Sequence, residues 1–452
     1  MNTKVIVVGG GISGLSAAYY LGKAGLRATI VEKAAKPGGV IQTELRHGCL
    51  LEAGPDSFLA TKPWALELID QLGLSDQVIG SNDHLRVTYV ARGGQLVPLP
   101  DGLMMMVPTK VAPMVRTRLF TWRTKLRMGL DLFHWPRGEH SDDRSVYDFL
   151  IGHFGEEAID YLAEPLLAGV YGGDPRELSA KSVLPRFVAL EAKYGSLTRG
   201  VLAMPRSKAS GSLFQTLKGG LGQLVDALAP SADFTRGEAE TIEMVATGFR
   251  VRVGGHWIHA DEVVIATPAH RAAALVRTID GGLANLLTAI PYMSSITLSL
   301  GYERSAFGHP LRGFGFLVPK RERKHLVACT WVNNKFSYRV PEDMVLLRCF
   351  MSGSALKESD ASLVEMARDE LQALMGITPE PVFSKIARWP QSMAQYTVGH
   401  EDRVEEIESR LQTIPGLHLA GNAYHGIGVP DCVRMGKDAA TQVIERRAAI
   451  IS

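Results

Sequence analysis

Gly9, Gly11 and Gly14 stand in G-x-G-x-x-G spacing across Gly9-Gly10-Gly11-Ile12-Ser13-Gly14, directly after the β-branched run Val5-Ile6-Val7-Val8. Glycines so spaced between a strand and a helix hold a pyrophosphate by main-chain amides. The first permits the tight turn, the second lets backbone approach the phosphates, and the third lets helix and strand pack closely, with the helix N-terminus toward the anion. Glu32 ends the next strand-like segment, 18 residues past Gly14. An acid there accepts hydrogen bonds from both ribose hydroxyls and repels a 2′-phosphate, which favours an NAD- or FAD-type dinucleotide over NADP. A purely structural glycine turn is the plainer alternative, and the flanking strand and helix weigh against it.

Three further clusters extend that chemistry. Pro37-Gly38-Gly39-Val40-Ile41-Gln42-Thr43 sets a second glycine pair just after the acid, and Glu52-Ala53-Gly54-Pro55-Asp56-Ser57-Phe58 follows as a tight polar turn. A second loop of this kind suits a long, doubly phosphorylated ligand. Near the other end, Gly426 and Gly428 let backbone approach a planar ring, and Pro430 sits where a helix starts. The amides of that helix N-terminus would stabilise negative charge on a ring as it is reduced.

Positioning these clusters requires a parallel sheet covered by helices. Residues 4–8 read as a buried strand, Ser16–Ala24 as a helix and Arg27–Glu32 as the next strand, a βαβ unit. Glu262–Pro268 with the helix-like His270–Val276, and Leu417–Asn422 with the helix-like Cys432–Ala449, repeat the strand-then-turn logic. Together they predict an α/β domain assembled from discontinuous segments. Residues 100–200 read as helical, notably Arg116–Leu132 and Val146–Leu162, and residues 290–350 as β-rich.

Composition narrows the function classes. The chain has 452 residues, with 49 Lys+Arg against 47 Asp+Glu, a balance that disfavours a dedicated nucleic-acid binder. Hydrophobic residues at 46% disfavour disorder. Four Cys without a CxxC pair exclude a disulfide scaffold and a Cys-based zinc site. The 13 His show no ligand spacing, so no metal is expected, and no Cys/His or His/Asp dyad stands out as catalytic. Gly, at 46 residues, is in excess, as expected where backbone approaches a ligand closely. The four-residue apolar run before Gly9 is too short for a signal-peptide core, and no stretch reaches the ~20 apolar residues of a bilayer span, so a cytoplasmic protein is expected.

Glu164-Pro165-Leu166-Leu167-Ala168-Gly169-Val170-Tyr171-Gly172-Gly173-Asp174-Pro175, followed by Leu178-Ser179, narrows the reading further. With the glycine loops, Gly313–Pro319, Trp389-Pro390, Gln395-Tyr396 and Pro430-Asp431-Cys432, it resembles the FAD-dependent amine-oxidase-like superfamily. Within that superfamily the chain is similar to the protoporphyrinogen/coproporphyrinogen oxidases, from residue 4 to about 445. The resemblance implies a discontinuous, Rossmann-like FAD-binding domain (1–85, 205–285 and 385–452). It also implies a β-rich substrate domain with a mixed sheet (86–107 and 286–384) and a helical subdomain (108–204). The implied reaction is six-electron oxidation of a porphyrinogen to a porphyrin in haem synthesis. FAD takes two electrons by hydride transfer in each of three rounds, and O2 reoxidises it with release of peroxide.

Carried over residue by residue, the resemblance assigns Gly9, Gly10, Gly11, Ile12, Ser13, Gly14, Glu32, Lys33, Gly38, Gly39, Gly54, Pro55, Asp56 and Ser57 to the dinucleotide. Ala239 falls to the adenine, and Trp389, Ile427, Gly428 and Val429 to the isoalloxazine. Gly169 and Phe336 are its substrate-side residues, although Phe336 reads equally well as a core residue. Protoporphyrinogen oxidases of plastid and animal type carry an Arg where this chain has Thr88. Pro98-Leu99-Pro100, Met106-Val107-Pro108-Thr109, Thr330-Trp331-Val332 and Lys335-Phe336 resemble instead the coproporphyrinogen III oxidases of monoderm bacteria. Coproporphyrinogen III is therefore the favoured substrate and protoporphyrinogen IX the second. Ala394 stands where the family pattern has Pro. Cys432 lies near the region where some amine oxidases attach flavin, but in a different context, so one non-covalent FAD per chain is expected.

Between Pro108 and Gly138, Lys110, Arg116, Arg118, Arg123, Lys125, Arg127 and Arg137 face only Asp131, with apolar residues interleaved. A solvated basic helix face is the plain reading, and a patch attracting an anionic substrate or a membrane surface is the sharper one. Homodimerisation is left open. Two competing functions share the architecture: an amine oxidase or carotenoid desaturase, and a non-catalytic binding protein of the GDP-dissociation-inhibitor kind.

Overall fold

The computed structural model describes residues 3–104, 106–135, 142–204 and 211–451, and its chain divides into two compact units. The first unit combines Met1–Ser81, Gly211–Pro291 and Asp402–Ser452, and the second Asn82–Ser210 and Tyr292–Glu401.

In the first unit, β1 (Val5–Val8) is buried at every position. Such a run is stable only with a strand on each side and a helix on each face. Its neighbours are β2 (Ala28–Glu32) and β4 (Glu262–Ile265), both parallel and in register from Val5 onward. β3 (Asp233–Arg236) joins the outer edge of β2 and β5 (Leu417–Leu419) that of β4, giving the order β3-β2-β1-β4-β5. α1 (Ile12–Lys23) leaves β1 through the glycine loop and lies directly on it. A Cβ on Gly14 would stand 2.0 Å from the Gly9 carbonyl oxygen and 3.1 Å from Val7 Cγ1. α2 (Val429–Ile451) crosses α1 just as closely, since a Cβ on Gly436 would lie 2.3 Å from the Ser13 carbonyl oxygen. The unit also holds two three-stranded antiparallel sheets, Ala239–Val245 with Gly248–Val253 and His256–Ala260, and Phe58–Leu59 with Phe214–Leu217 and Val78–Gly80, and the hairpin Thr43–Arg46 with Cys49–Glu52.

The second unit is built on a seven-stranded mixed sheet. Its order is Phe383–Ala394, Tyr292–Glu303, Met344–Ser352, Leu326–Trp331, Gly315–Leu317, Thr88–Arg92, Gln95–Pro98. Ile296, Leu298, Leu300, Tyr302 and Leu347 form its core with Leu363, Ala367 and Leu371 of the helix Asp360–Met375. Ser359 caps that helix by accepting the Ser362 N–H, and Gly376 ends it in the left-handed conformation.

The structure differs from expectation at four points. Residues 385–401, expected with the dinucleotide-binding segments, belong to the second unit, because Phe383–Ala394 pairs antiparallel with Tyr292–Glu303. The helix expected over 116–132 is two helices, Val111–Arg116 and Trp122–Leu130, followed by a 3-10 turn, Asp131–Phe133. Thr117 is extended and its hydroxyl accepts the Leu119 N–H, which turns Leu119 and Phe120 into the core. The helix expected over 146–162 stops at Phe154, where Gly155 takes φ +81°. A short turn, Glu156–Ala158, and a π-helical turn, Ile159–Ala163, follow. The β-rich and helical segments, expected as separate domains, cluster in one unit.

Gly436→Ala tests the helix crossing. Alanine is the better helix former by about 1 kcal/mol, yet the methyl must displace backbone of α1, and overpacking typically costs about 1–3 kcal/mol. A lowered melting temperature is expected in thermal unfolding; an unchanged or raised one would refute the close crossing.

Candidate functional site

The glycine loop after β1 is held from both sides. The Gly9 N–H donates to the Val31 carbonyl at 2.9 Å, and the Gly38 N–H to the Gly10 carbonyl at 2.7 Å, with Gly11 and Gly38 bridged as parallel backbone. The two glycine clusters, far apart in motif terms, thus form one surface. Ile12 and Ser13 are buried in the first turn of α1. Among the described residues no side chain caps that helix, and its first turn has no acid, which leaves its N-terminal amides without the usual capping partner. A Cβ on Gly11 would meet nothing within 4 Å. Uncapped amides beside open backbone fit an anionic group of pyrophosphate size.

Glu32, expected at a ribose, has backbone partners of its own. Its Oε2 accepts the Gly10 N–H at 2.7 Å and its Oε1 the Ala34 N–H at 2.8 Å, so the carboxylate braces the glycine loop itself. Each oxygen keeps a second lone pair, and the side chain is half-buried at the end of β2. Lys33 is exposed beside it. The Gly237 N–H donates to the Glu32 carbonyl at 2.9 Å, which brings Ala239, half-buried at the start of its strand, to the same edge.

Gly54 carries the polar turn against the second glycine loop. A Cβ there would stand 1.9 Å from the Val40 carbonyl oxygen, and the neighbouring Ala53 N–H donates to Gln42. Pro55, Asp56 and Ser57 are half-buried in this turn, with the Ser57 hydroxyl donating to Asp56 at 2.7 Å. Glu52, 4% exposed, accepts from the Thr43 hydroxyl (2.7 Å) and the Leu221 N–H (2.8 Å), tying the turn to the segment after residue 211.

Ile427, Gly428 and Val429 lead into α2, and Asp431 of the terminal motif fixes them together with Lys62, which no motif singled out. Asp431, whose side chain is 4% exposed, is clasped by Lys62 Nζ at 2.6 and 2.8 Å and accepts the Gly428 N–H at 3.1 Å. The same carboxylate fills the space that a Cβ on Gly426 would need. Lys62 carried no sequence signal because its partner is 369 residues away. Cys432 follows, buried and hydrogen-bonded to Ser13 of the first loop, and burial pushes its thiol up to about 12. Such a thiol is a poor nucleophile at neutral pH.

Gly169, Phe336 and Trp389 belong to the second unit. Gly169 lies on the helix Glu164–Tyr171, where a Cβ would touch only Leu317 Cδ2 at 3.7 Å. Phe336 is 2% exposed, with the buried Arg339 guanidinium 5.7 Å from its ring centre. Trp389 is half-buried on Phe383–Ala394, paired with Ser295, and Ala394 closes that strand opposite Tyr292.

The model of the flavin-containing amine oxidoreductases matches residues 12–444. The coproporphyrinogen III oxidase of Bacillus subtilis (strain 168) is 33% identical over 97% of this chain and 97% of its own length. That of Propionibacterium freudenreichii subsp. freudenreichii is 34% identical over 98% and 91%. A crystal structure from Exiguobacterium sp. 255-15, provisionally named as a protoporphyrinogen oxidase, superposes with a TM-score of 0.89 at 29% identity, covering 98% of this chain and 99% of that one. Mixed α/β architecture, paired glycine loops and full-length similarity agree: the chain belongs to the flavin-containing amine oxidoreductase family and, within it, to the coproporphyrinogen and protoporphyrinogen oxidases.

Proposed function

We propose that this protein oxidises coproporphyrinogen III to coproporphyrin III in haem synthesis, with protoporphyrinogen IX as the second-ranked substrate. Each porphyrinogen would lose six hydrogens while three O2 become three H2O2. The observation that carries this reading is the end-to-end similarity to coproporphyrinogen III oxidases, at 33 and 34% identity. Thr88, where the plastid and animal-type protoporphyrinogen oxidases have Arg, supports the order of substrates.

One non-covalent FAD per chain is the proposed cofactor, and when bound it supplies the two-electron acceptor that no side chain offers. Gly9 to Gly14 and the α1 amides would hold its pyrophosphate, Glu32 its ribose, and Ala239 its adenine. Gly54 to Ser57 would support the middle of the dinucleotide. Ile427 to Val429, locked by Asp431 and Lys62, would orient the ring. The protonated Cys432 favours non-covalent attachment. No catalytic side chain is assigned: the chain binds, orients and excludes water. An amine oxidase is the runner-up, and it would turn over amines but no porphyrinogen.

The stretch 108–138 supports peripheral contact with the inner face of the plasma membrane, with the protein otherwise cytoplasmic. Trp122, Leu126 and Leu130 form an i, i+4, i+8 stripe that is 69, 56 and 51% exposed, and Arg123 and Arg127 flank it. Val111, Val115, Phe133 and Trp135 are exposed as well, while Arg137 lies outside the described residues. Glu157 anchors the stripe's helix by accepting the Thr121 N–H at 2.9 Å. Against the burial that raises its pKa, hydrogen bonds from Thr124, Arg92 and Thr121 hold its carboxyl down at about 2. An apolar stripe edged with Arg is the pattern of an interfacial helix. No helix among the described residues is long and apolar enough to cross a bilayer.

Three outcomes are expected. Purified protein is yellow, acid denaturation releases all flavin as FAD, and fluorescence grows faster with coproporphyrinogen III than with protoporphyrinogen IX; failure to oxidise either removes the assignment. Lys62→Met leaves the Asp431 carboxylate without its cation. Because Lys62 is partly exposed, water recovers part of the loss, and we expect FAD to bind weaker by about 1–2 kcal/mol, roughly 5–30-fold; equal FAD affinity would show that the clasp does not order the ring loop. The double variant Trp122→Ser/Leu126→Ser should lose co-sedimentation with anionic vesicles while keeping its turnover in detergent-free buffer, and undiminished vesicle binding would remove the stripe from the contact.

A further inference from the structure

Asp131, His134 and His153 form a cluster in the second unit that the flavin chemistry does not use. Asp131 opens the 3-10 turn Asp131–Phe133, His134 follows it, and His153 lies in the last turn of the helix Val146–Phe154. Asp131 Oδ1 is 2.5 Å from His153 Nδ1 and 3.5 Å from His134 Nδ1, and the two imidazole nitrogens are 3.4 Å apart. Asp131 is fully buried, the His153 side chain is 5% exposed, and that of His134 is 39% exposed.

The surroundings orient each donor. Asp131 Oδ2 accepts the Ser196 hydroxyl at 2.9 Å and the Thr198 N–H at 2.8 Å, which directs Oδ1 toward the two rings. His153 Nε2 lies 3.0 Å from Glu191 Oε1, and Glu191 is itself paired with Arg144. With Nε2 beside Glu191, His153 Nδ1 is turned toward Asp131 and His134. A histidine that gives its outer N–H to a carboxylate while its inner nitrogen faces other donors is the arrangement found around ligated metals. Asp131 Oδ1 and the two Nδ1 atoms thus converge at one point, with Asp131 and His153 buried and His134 on the exposed side.

We propose that Asp131 Oδ1, His134 Nδ1 and His153 Nδ1 are a binding site for one divalent transition-metal ion of the zinc class, with a fourth position open to water on the exposed side of His134. Zn–N and Zn–O bonds of about 2.0–2.1 Å set donor separations of about 3.3–3.4 Å in a tetrahedron. The two separations involving His134, 3.4 and 3.5 Å, are close to that, and only the 2.5 Å contact between Asp131 and His153 has to widen when a metal enters. Two imidazoles and one carboxylate select Zn2+, Co2+, Ni2+ or Cu2+ over Mg2+ and Ca2+. The ion would tie the turn at 131–134 to the helix at 146–154, across a separation that hides the ligand set from any spacing motif.

The test uses the full-length, flavin-loaded protein without a histidine tag, stripped with a chelator and dialysed. Titration with Zn2+ against a chromophoric competitor should show uptake of one ion per chain, and Co2+ should give visible bands at longer wavelength than the flavin. His134→Ala, at a half-exposed position, should keep its flavin and its melting temperature in chelator but bind Zn2+ about 10–100-fold more weakly. His153→Ala should abolish uptake; if it fails to fold, His134→Ala alone decides. Absence of stoichiometric uptake at micromolar free Zn2+, or equal uptake by His134→Ala, overturns the proposal.

Discussion

The first unit depends on a contact that any side chain would forbid, the approach of Gly14 to the Gly9 carbonyl oxygen. A Cβ at 2.0 Å from that oxygen would lift α1 from β1. The uncapped amides at the start of α1 would then lose their aim beside Gly11. The second glycine loop would lose its footing too, because the Gly38 N–H is bonded to the carbonyl of Gly10 inside the same turn. Backbone meeting backbone at this point turns two glycine motifs into one anion-ready surface.

Glycine alone leaves such a surface loose, since flexible backbone pays the greatest conformational entropy on folding. Carboxylates supply the missing rigidity. Glu32 holds Gly10 and Ala34, Glu52 holds Thr43 and Leu221, and Asp431 holds Gly428 and Lys62. Each joins a glycine-rich turn to an element elsewhere in the unit, and Glu52 and Asp431 do so while almost wholly buried. Removing one partner from such a group costs more than the bond itself contributed, because the remaining charge stays desolvated. Three segments of chain that are distant in sequence are thereby fixed against one another.

This division of labour explains what the sequence made legible. Glycine spacing, β-branched runs and the acid at 32 are local signals, and β1, β2, β4 and β5 lie where they point. Helix breaks were less visible: Arg116–Leu132 has helical composition throughout, and only the inward turn of Leu119 and Phe120 interrupts it. Trp389 was grouped with the glycine loops by motif, whereas long antiparallel pairing with Tyr292–Glu303 decides its unit. Lys62 and the Asp131–His153 contact left no trace at all. Side-chain partners separated by 369 and 22 residues impose no periodicity, so only folding reveals them.

In the stretch from 108 to 203 one helix turns apolar side chains outward, although Phe149, Leu150, Phe154, Leu162 and Phe187 make an ordinary apolar interior. Trp122, Leu126 and Leu130 face outward while Asp131, His153 and Glu191 face inward. The helices here run from three to ten residues, too short to be stable by propensity. Beside the apolar interior, a buried ionic network gives the arrangement direction. A fully bonded network admits few geometries, since each donor must find its acceptor, whereas apolar contacts among short helices tolerate many. The network thereby ties the turn at 131–134, which follows the stripe's helix directly, to the helix at 146–154 and to Ser196 and Thr198.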